Sequence, residues 1–206
     1  MDQTPFYRGS FFLLNICMKK FILIFASAIF ILPFLNHREN LSLLEDYSLK
    51  TQIEDLEDLK RAYPKLNWNI DHKELNQLFS YFKMLDVDVY IFTNESFEDP
   101  RITAQYSPSR NQIYLNERII NNNRTINQFL RTIRHEGMHL AQDCRGGSIH
   151  NTWSKKIYSL EDVPEKYHQE VERMYEKRHW KLEKESFWAG QTEGLTLKSL
   201  QLCFPK

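Results

Sequence analysis

Residues 134–139 of the chain read Arg134-His135-Glu136-Gly137-Met138-His139. Histidines four positions apart fall on one face of a helix, so His135 and His139 can aim a ring nitrogen at the same metal ion. Glu136, one position round, can reach a water beside that ion. Two imidazole ligands, one open position and a carboxylate that takes a proton from water are the working parts of a zinc hydrolase. The bland alternative is a surface helix with two solvated histidines. Three features separate the readings: a well-bounded helix around the motif, a sheet before it and a third ligand after it.

The helix is well signalled. Thr125 reads as its N-cap, with Gln128 completing a capping box. It runs from Ile126 to about Asp143, with Phe129, Leu130, Ile133, Met138, Leu140 and Ala141 as apolar contacts, and Gly146-Gly147 ends it. Asn121-Asn122-Asn123 before it reads as a loop. Further back, Asp86 to Thr93 alternates Val87, Val89, Ile91 and Thr93 with Asp86, Asp88, Tyr90 and Phe92, the period of a half-buried strand. Thr103 to Tyr106 and Gln112 to Leu115 are two more short strands. The turn residues Ser107-Pro108-Ser109-Arg110-Asn111 join them as a hairpin. The exposed edge of such a hairpin can take up an extended peptide as an added strand. The alternative is sheet with no such role.

Two helices are expected upstream as scaffold. Leu44, Tyr47, Ile53, Leu56, Leu59 and Ala62 give helical spacing over Leu41 to Tyr63, ended by Pro64. Asp71 reads as the next N-cap, with Glu74 its capping-box partner, before a helix through Leu75, Leu78, Phe79 and Phe82. Downstream, a polar loop over Gly146 to Ser159 carries His150 and Tyr158. Asp162-Val163-Pro164 then opens a helix, with Pro164 near its first position, through Tyr167, Val171, Met174 and Tyr175.

The third ligand is sought between His179 and Gly190. Glu183 and Glu185 compete there. Two positions apart on a helix, they point roughly 200° apart, so only one can face the metal. A ligand helix must come close to the motif helix, which requires small residues beside the ligand. Three and seven positions after Glu183 stand Ser186 and Gly190; after Glu185 stand Trp188 and Thr192. Glu183 fits better, Glu185 remains its competitor, and a merely solvated helix face remains the third option. Asp143 lies one turn beyond His139 on the same face, where it can orient a ligand or simply end the helix.

His135-Glu136-Gly137-Met138-His139, the hairpin before it and the Glu183-Lys184-Glu185 segment after it resemble the zincin metallopeptidases, most closely the glutamate-liganded gluzincins. In many gluzincins the third ligand opens a Glu-x-x-Ala pattern; here Ser186 stands where the alanine would be. The metzincin pattern would need glycine at 142 and histidine at 145, where this chain has Gln142 and Arg145. The resemblance covers roughly residues 86–191. It implies Zn²⁺ held by His135, His139 and Glu183, with Glu136 as general base and a peptide bond in a peptide or protein substrate as target. It also implies a hydrogen-bond donor for the oxyanion, for which His150, Tyr158, Tyr167, His168, Tyr175 and His179 are available. The implied fold is α+β and zincin-like: a small, mostly antiparallel sheet whose hairpin packs on the motif helix, with further helices before and after.

Composition agrees with one globular domain. The chain has 206 residues, 42% of them hydrophobic and 26% charged. Lys plus Arg equals Asp plus Glu at 27 each, which makes no case for nucleic acid. The N-terminus differs. Met18-Lys19-Lys20 precedes the apolar run Phe21 to Leu35, broken only by Ser27 and Pro33, the pattern of an export signal. The run is short for a membrane span of about 20 residues. Ala26-Ser27-Ala28 has the small-x-small form of a cleavage site but lies inside the apolar run, so an uncleaved anchor, with possible membrane attachment, is the rival, and a buried core helix the third option. Residues 1–40 are therefore expected to be a signal peptide or signal anchor, with Met18 as the working start, and 41–206 a single domain outside the cytoplasm, periplasmic, secreted or membrane-anchored. Cys17 falls in the leader. In an exported protein Cys144 and Cys203 are expected to pair, tying the last helix to the motif helix; two free thiols are the alternative. The expected function is a zinc-dependent peptidase. The alternatives are a zinc amidohydrolase acting on cell-wall peptide and a catalytically silent zinc-binding interaction protein. Oligomeric state is open at this level.

Overall fold

The computed structural model describes residues 49–204 apart from 65, 67, 69–71, 98, 100, 122–125 and 148–153. The expected leader lies outside these residues, as do Asp71, Thr125 and His150. In chain order the elements are β1 (Leu49–Gln52), α1 (Leu56–Ala62), α2 (Lys73–Met84), β2 (Asp88–Phe92), β3 (Ala104–Ser107), β4 (Gln112–Asn116) and α3 (Arg118–Asn121). They continue with α4 (Ile126–Gly146), α5 (Glu165–Met174), α6 (Trp180–Gln191) and α7 (Leu195–Leu200). The domain is α+β, and residues Ser48–Lys206 form one compact unit. Among the described residues, no helix is long and apolar enough to cross a membrane.

The sheet runs β1-β2-β4-β3. β1 pairs antiparallel with β2 and β3 with β4, while β2 and β4 are parallel. The expected hairpin is therefore present, and β3 is an edge strand. The period-2 alternation buries Val89 and Ile91 of β2 and Ile113 and Leu115 of β4. These meet Leu75, Leu78 and Phe82 from α2 and Phe129, Ile133 and Met138 from α4 in one core. Asn111 in the hairpin turn adopts φ +56°, which asparagine tolerates better than most residues. Its Nδ2 donates to Leu85 O at 2.9 Å and Asp86 O at 2.7 Å, which fastens the turn to the chain entering β2.

Several local expectations give way to tertiary contacts. Leu41–Tyr63 is not one helix. Thr51 and Gln52 pair with Ile91 and Tyr90, and Ile53 N donates to Val89 O at 2.9 Å. Sheet pairing thus overrides the helical spacing, and α1 begins only after Asp55, whose side chain accepts from Asp58 N. Among the described residues Glu74 caps no N–H of α2, which starts after His72. It reaches Arg134 instead, accepting from Nε at 3.0 Å and from a terminal guanidinium nitrogen, and it accepts from Gly194 N at 2.8 Å. Asn121 closes α3 rather than standing in a loop. α5 starts one residue after Pro164, behind a 3-10 turn at Leu160–Asp162 that Ser159 caps. α4 runs to Gly146, and Gly147 at φ +115° supplies the left-handed residue that ends it. Cys144 and Cys203 form the expected disulfide, Cα–Cα 5.1 Å, which joins the end of α4 to the 3-10 turn after α7.

Candidate metal centre

α4 and α6 cross closely because α6 has a glycine at the crossing. A Cβ on Gly190 would lie 2.9 Å from Arg131 O and 3.6 Å from His135 Cβ. Gly137 does the same on the other side of α4, where a Cβ would lie 2.8 Å from Thr196 Cγ2 and 3.3 Å from the Phe82 ring. The α4–α6 approach brings three side chains together. His135 Nε2 lies 3.1 Å from His139 Nε2, 3.3 Å separates His135 Nε2 from Glu183 Oε2, and 3.5 Å separates His139 Nε2 from Glu183 Oε1. Among the described residues, this is the one group of three or more His, Cys, Asp or Glu side chains with atoms close enough to share a metal ion.

Glu185 points elsewhere. Fully buried, it accepts from Gln142 Nε2 at 2.9 Å, Ile157 N at 3.0 Å and Tyr158 N at 2.6 Å. Burial raises its pKa, and those N–H groups work against the rise. Its work is to fasten the loop before α5 to α6.

The donor set fits a divalent cation. Glu183 Oε2 is buried without a hydrogen bond and lies 3.3 Å from His135 Nε2. Burial alone would raise the Glu183 pKa, yet the two imidazoles hold it well below the usual carboxylate range. Burial alone would lower the His139 pKa, yet Glu183 and then Glu136 carry it to about 9. The trio thus draws positive charge into its centre, and two imidazoles with a carboxylate are a set that Zn²⁺ takes.

Glu136 lies beside the trio, 5% exposed, and its Oε2 accepts from the edge-strand amide Tyr106 N at 2.8 Å. Burial raises its pKa; His135 and His139 pull it down, Glu183 pushes it up, and the Tyr106 amide pulls it down. Tyr175, just after α5, is about one-third exposed and stands close enough to Glu183 and Glu136 to feel both charges. Burial, then the charges of Glu183 and Glu136, raise its pKa.

Among the described residues, the other oxyanion candidates are engaged elsewhere or lie exposed. Tyr158 OH bonds Ser199 Oγ, His168 Nε2 faces Leu160 O and Val163 O, Tyr167 packs on Phe187, and His179 is exposed at the start of α6. Asp143 accepts from Tyr106 OH at 3.3 Å, and none of its described hydrogen bonds sets it beside a motif histidine. That place belongs to Gln142, whose Oε1 lies 2.9 Å from His139 Nδ1. Gln142 stands three residues after His139, a helical neighbour, so spacing alone was enough to nominate it. The Tyr106 amide left no such signal, because nothing local says which strand amide meets a given helix.

An α+β domain that gathers two histidines and a glutamate beside a sheet edge is the class these features define. The chain belongs to the family described as a domain of unknown function, DUF8637, whose model matches residues 51–204 and so contains His135, Glu136, His139 and Glu183. No curated protein and no solved structure matches it.

Proposed function

We propose that the domain is a zinc-dependent peptidase of the gluzincin type, with His135, His139 and Glu183 as metal ligands and Glu136 as general base. The observation that carries this reading is the convergence of Glu183 on the two motif histidines with Glu136 buried alongside. Bound there, Zn²⁺ would supply Lewis acidity towards water and towards a peptide carbonyl. Glu136 takes a proton from the attacking water, through the carboxylate oxygen that Tyr106 does not hold, and passes it to the leaving amine as the C–N bond breaks. Tyr175, near enough to Glu183 and Glu136 to feel their charges, is the tyrosine we assign as donor to the carbonyl oxygen as negative charge develops there. The edge of β3 offers backbone for an extended substrate. The disulfide supports a location outside the cytoplasm, in keeping with the export-like leader.

The test has two parts. Elemental analysis should find one zinc per chain in the wild type, retained in Glu136→Gln and lost in Glu183→Ala. Turnover of a quenched peptide library should vanish in Glu136→Gln. Undiminished turnover in that variant would sink the mechanism, and a metal-free wild type after reconstitution would sink the site.

A further inference from the structure

On its Nδ1 side His139 meets two polar groups, Gln142 Oε1 at 2.9 Å and Ser186 Oγ at 3.2 Å. The Gln142 amide can face only one way. Its other edge lies 3.0 Å from Leu182 O and 2.9 Å from Glu185 Oε2. A peptide carbonyl only accepts, so that edge is the NH2 group and the edge towards His139 is the oxygen. An amide oxygen also only accepts, so His139 Nδ1 carries the hydrogen. When the ring is neutral, Nε2 then carries the lone pair. Nε2 is the atom that faces His135 and Glu183. Gln142, Glu185 and Ser186 are all fully buried, so solvent cannot take over these bonds. Glu185 is fixed in turn by the Ile157 and Tyr158 amides.

We propose that Gln142, locked in orientation by Glu185 and Leu182 O, is a positioning residue that sets the tautomer and ring plane of His139 for the cation held by His135, His139 and Glu183. The proposal rests on the metal-site reading above. It turns the rival ligand of the sequence, Glu185, into the far end of a carboxylate–amide–imidazole relay. Partners of this kind are worth about 10- to 100-fold in metal affinity.

The experiment uses the full chain, with Zn²⁺ affinity from chelator competition at one pH, the visible spectrum of the Co²⁺ form, and melting in EDTA to account for loss of fold. Gln142→Leu, close in volume, should bind Zn²⁺ about 10- to 100-fold more weakly, with a changed Co²⁺ spectrum. Glu185→Gln should also weaken binding. The double variant should bind no more weakly than Gln142→Leu alone, because both act through one hydrogen bond. A wild type that binds one zinc while Gln142→Leu binds within about twofold overturns the relay, as do losses that multiply in the double variant. A wild type that binds no zinc overturns the metal-site reading and the relay with it. If Glu185→Gln does not fold, the affinity and spectrum of Gln142→Leu decide the matter alone.

Discussion

Replacing Gly190 with alanine sets two known effects against each other. In a helix interior the change is worth about 0.8–1.0 kcal/mol in alanine's favour. Here the new Cβ would stand 2.9 Å from Arg131 O, a backbone atom of α4 that no side-chain rotation can clear. Such contacts become ordinary only near 3.4 Å, so α6 must retreat by about 0.5 Å. Overpacking of this kind costs about 1–3 kcal/mol. The net is a loss of roughly 0–2 kcal/mol, or up to about 8 °C in the melting point of the metal-free domain. The effect on the site should be larger than the effect on the fold. Glu183 rides on α6, and ligand distances tolerate only about 0.2 Å. Zinc affinity should therefore fall at least about tenfold, since a misplaced ligand costs no less than a lost outer partner. Melting in EDTA and chelator competition read the two effects separately. A Gly190→Ala protein that melts higher than wild type and binds zinc as tightly would refute the claim that this close approach places Glu183.

Other perturbations address the remaining parts. Tyr175→Phe should keep its zinc while kcat on a peptide substrate falls about 10²- to 10³-fold; unchanged kcat removes Tyr175 from the reaction. Glu74→Gln strips the buried Arg134 of its counter-charge and should cost about 3–5 kcal/mol in urea unfolding; a loss below about 1 kcal/mol would show that solvent reaches the pair. Replacing both Cys144 and Cys203 with alanine opens a cross-link of sequence separation 59 and should cost about 4 kcal/mol by the chain-entropy relation, measured the same way. Zinc at about 100 times its Kd should raise unfolding stability by about 2.7 kcal/mol, a gain that vanishes in Glu183→Ala.

Local periodicity was enough for the elements around the candidate site. The spacing of His135 and His139, the capping and glycine signals around their helix, and the alternation of Val87, Val89 and Ile91 all report on neighbours a few residues away, and the structure has the helix and the strand. The hairpin and the Cys144–Cys203 pairing were legible for related reasons, since turn chemistry is local and two remaining cysteines leave one pairing. Small residues beside Glu183 made it the better candidate, because a glycine seven positions on marks a helix that must come close to another. Elsewhere the same local rules failed. Glu74 read as a cap because Asp71 stands three residues before it; its partner, Arg134, is 60 positions away and meets it only once α2 packs on α4. Residues 49–52 fell inside a stretch whose spacing is helical, but their backbone bonds are made with β2. Whether Gln142 or Asp143 serves His139, which tyrosine reaches Glu183 and which strand amide holds Glu136 depend on how helices cross and how the sheet edge sits. Those relations are set by packing between residues far apart in the chain. A sequence pattern records which face of an element is apolar, and only the folded chain decides what that face meets.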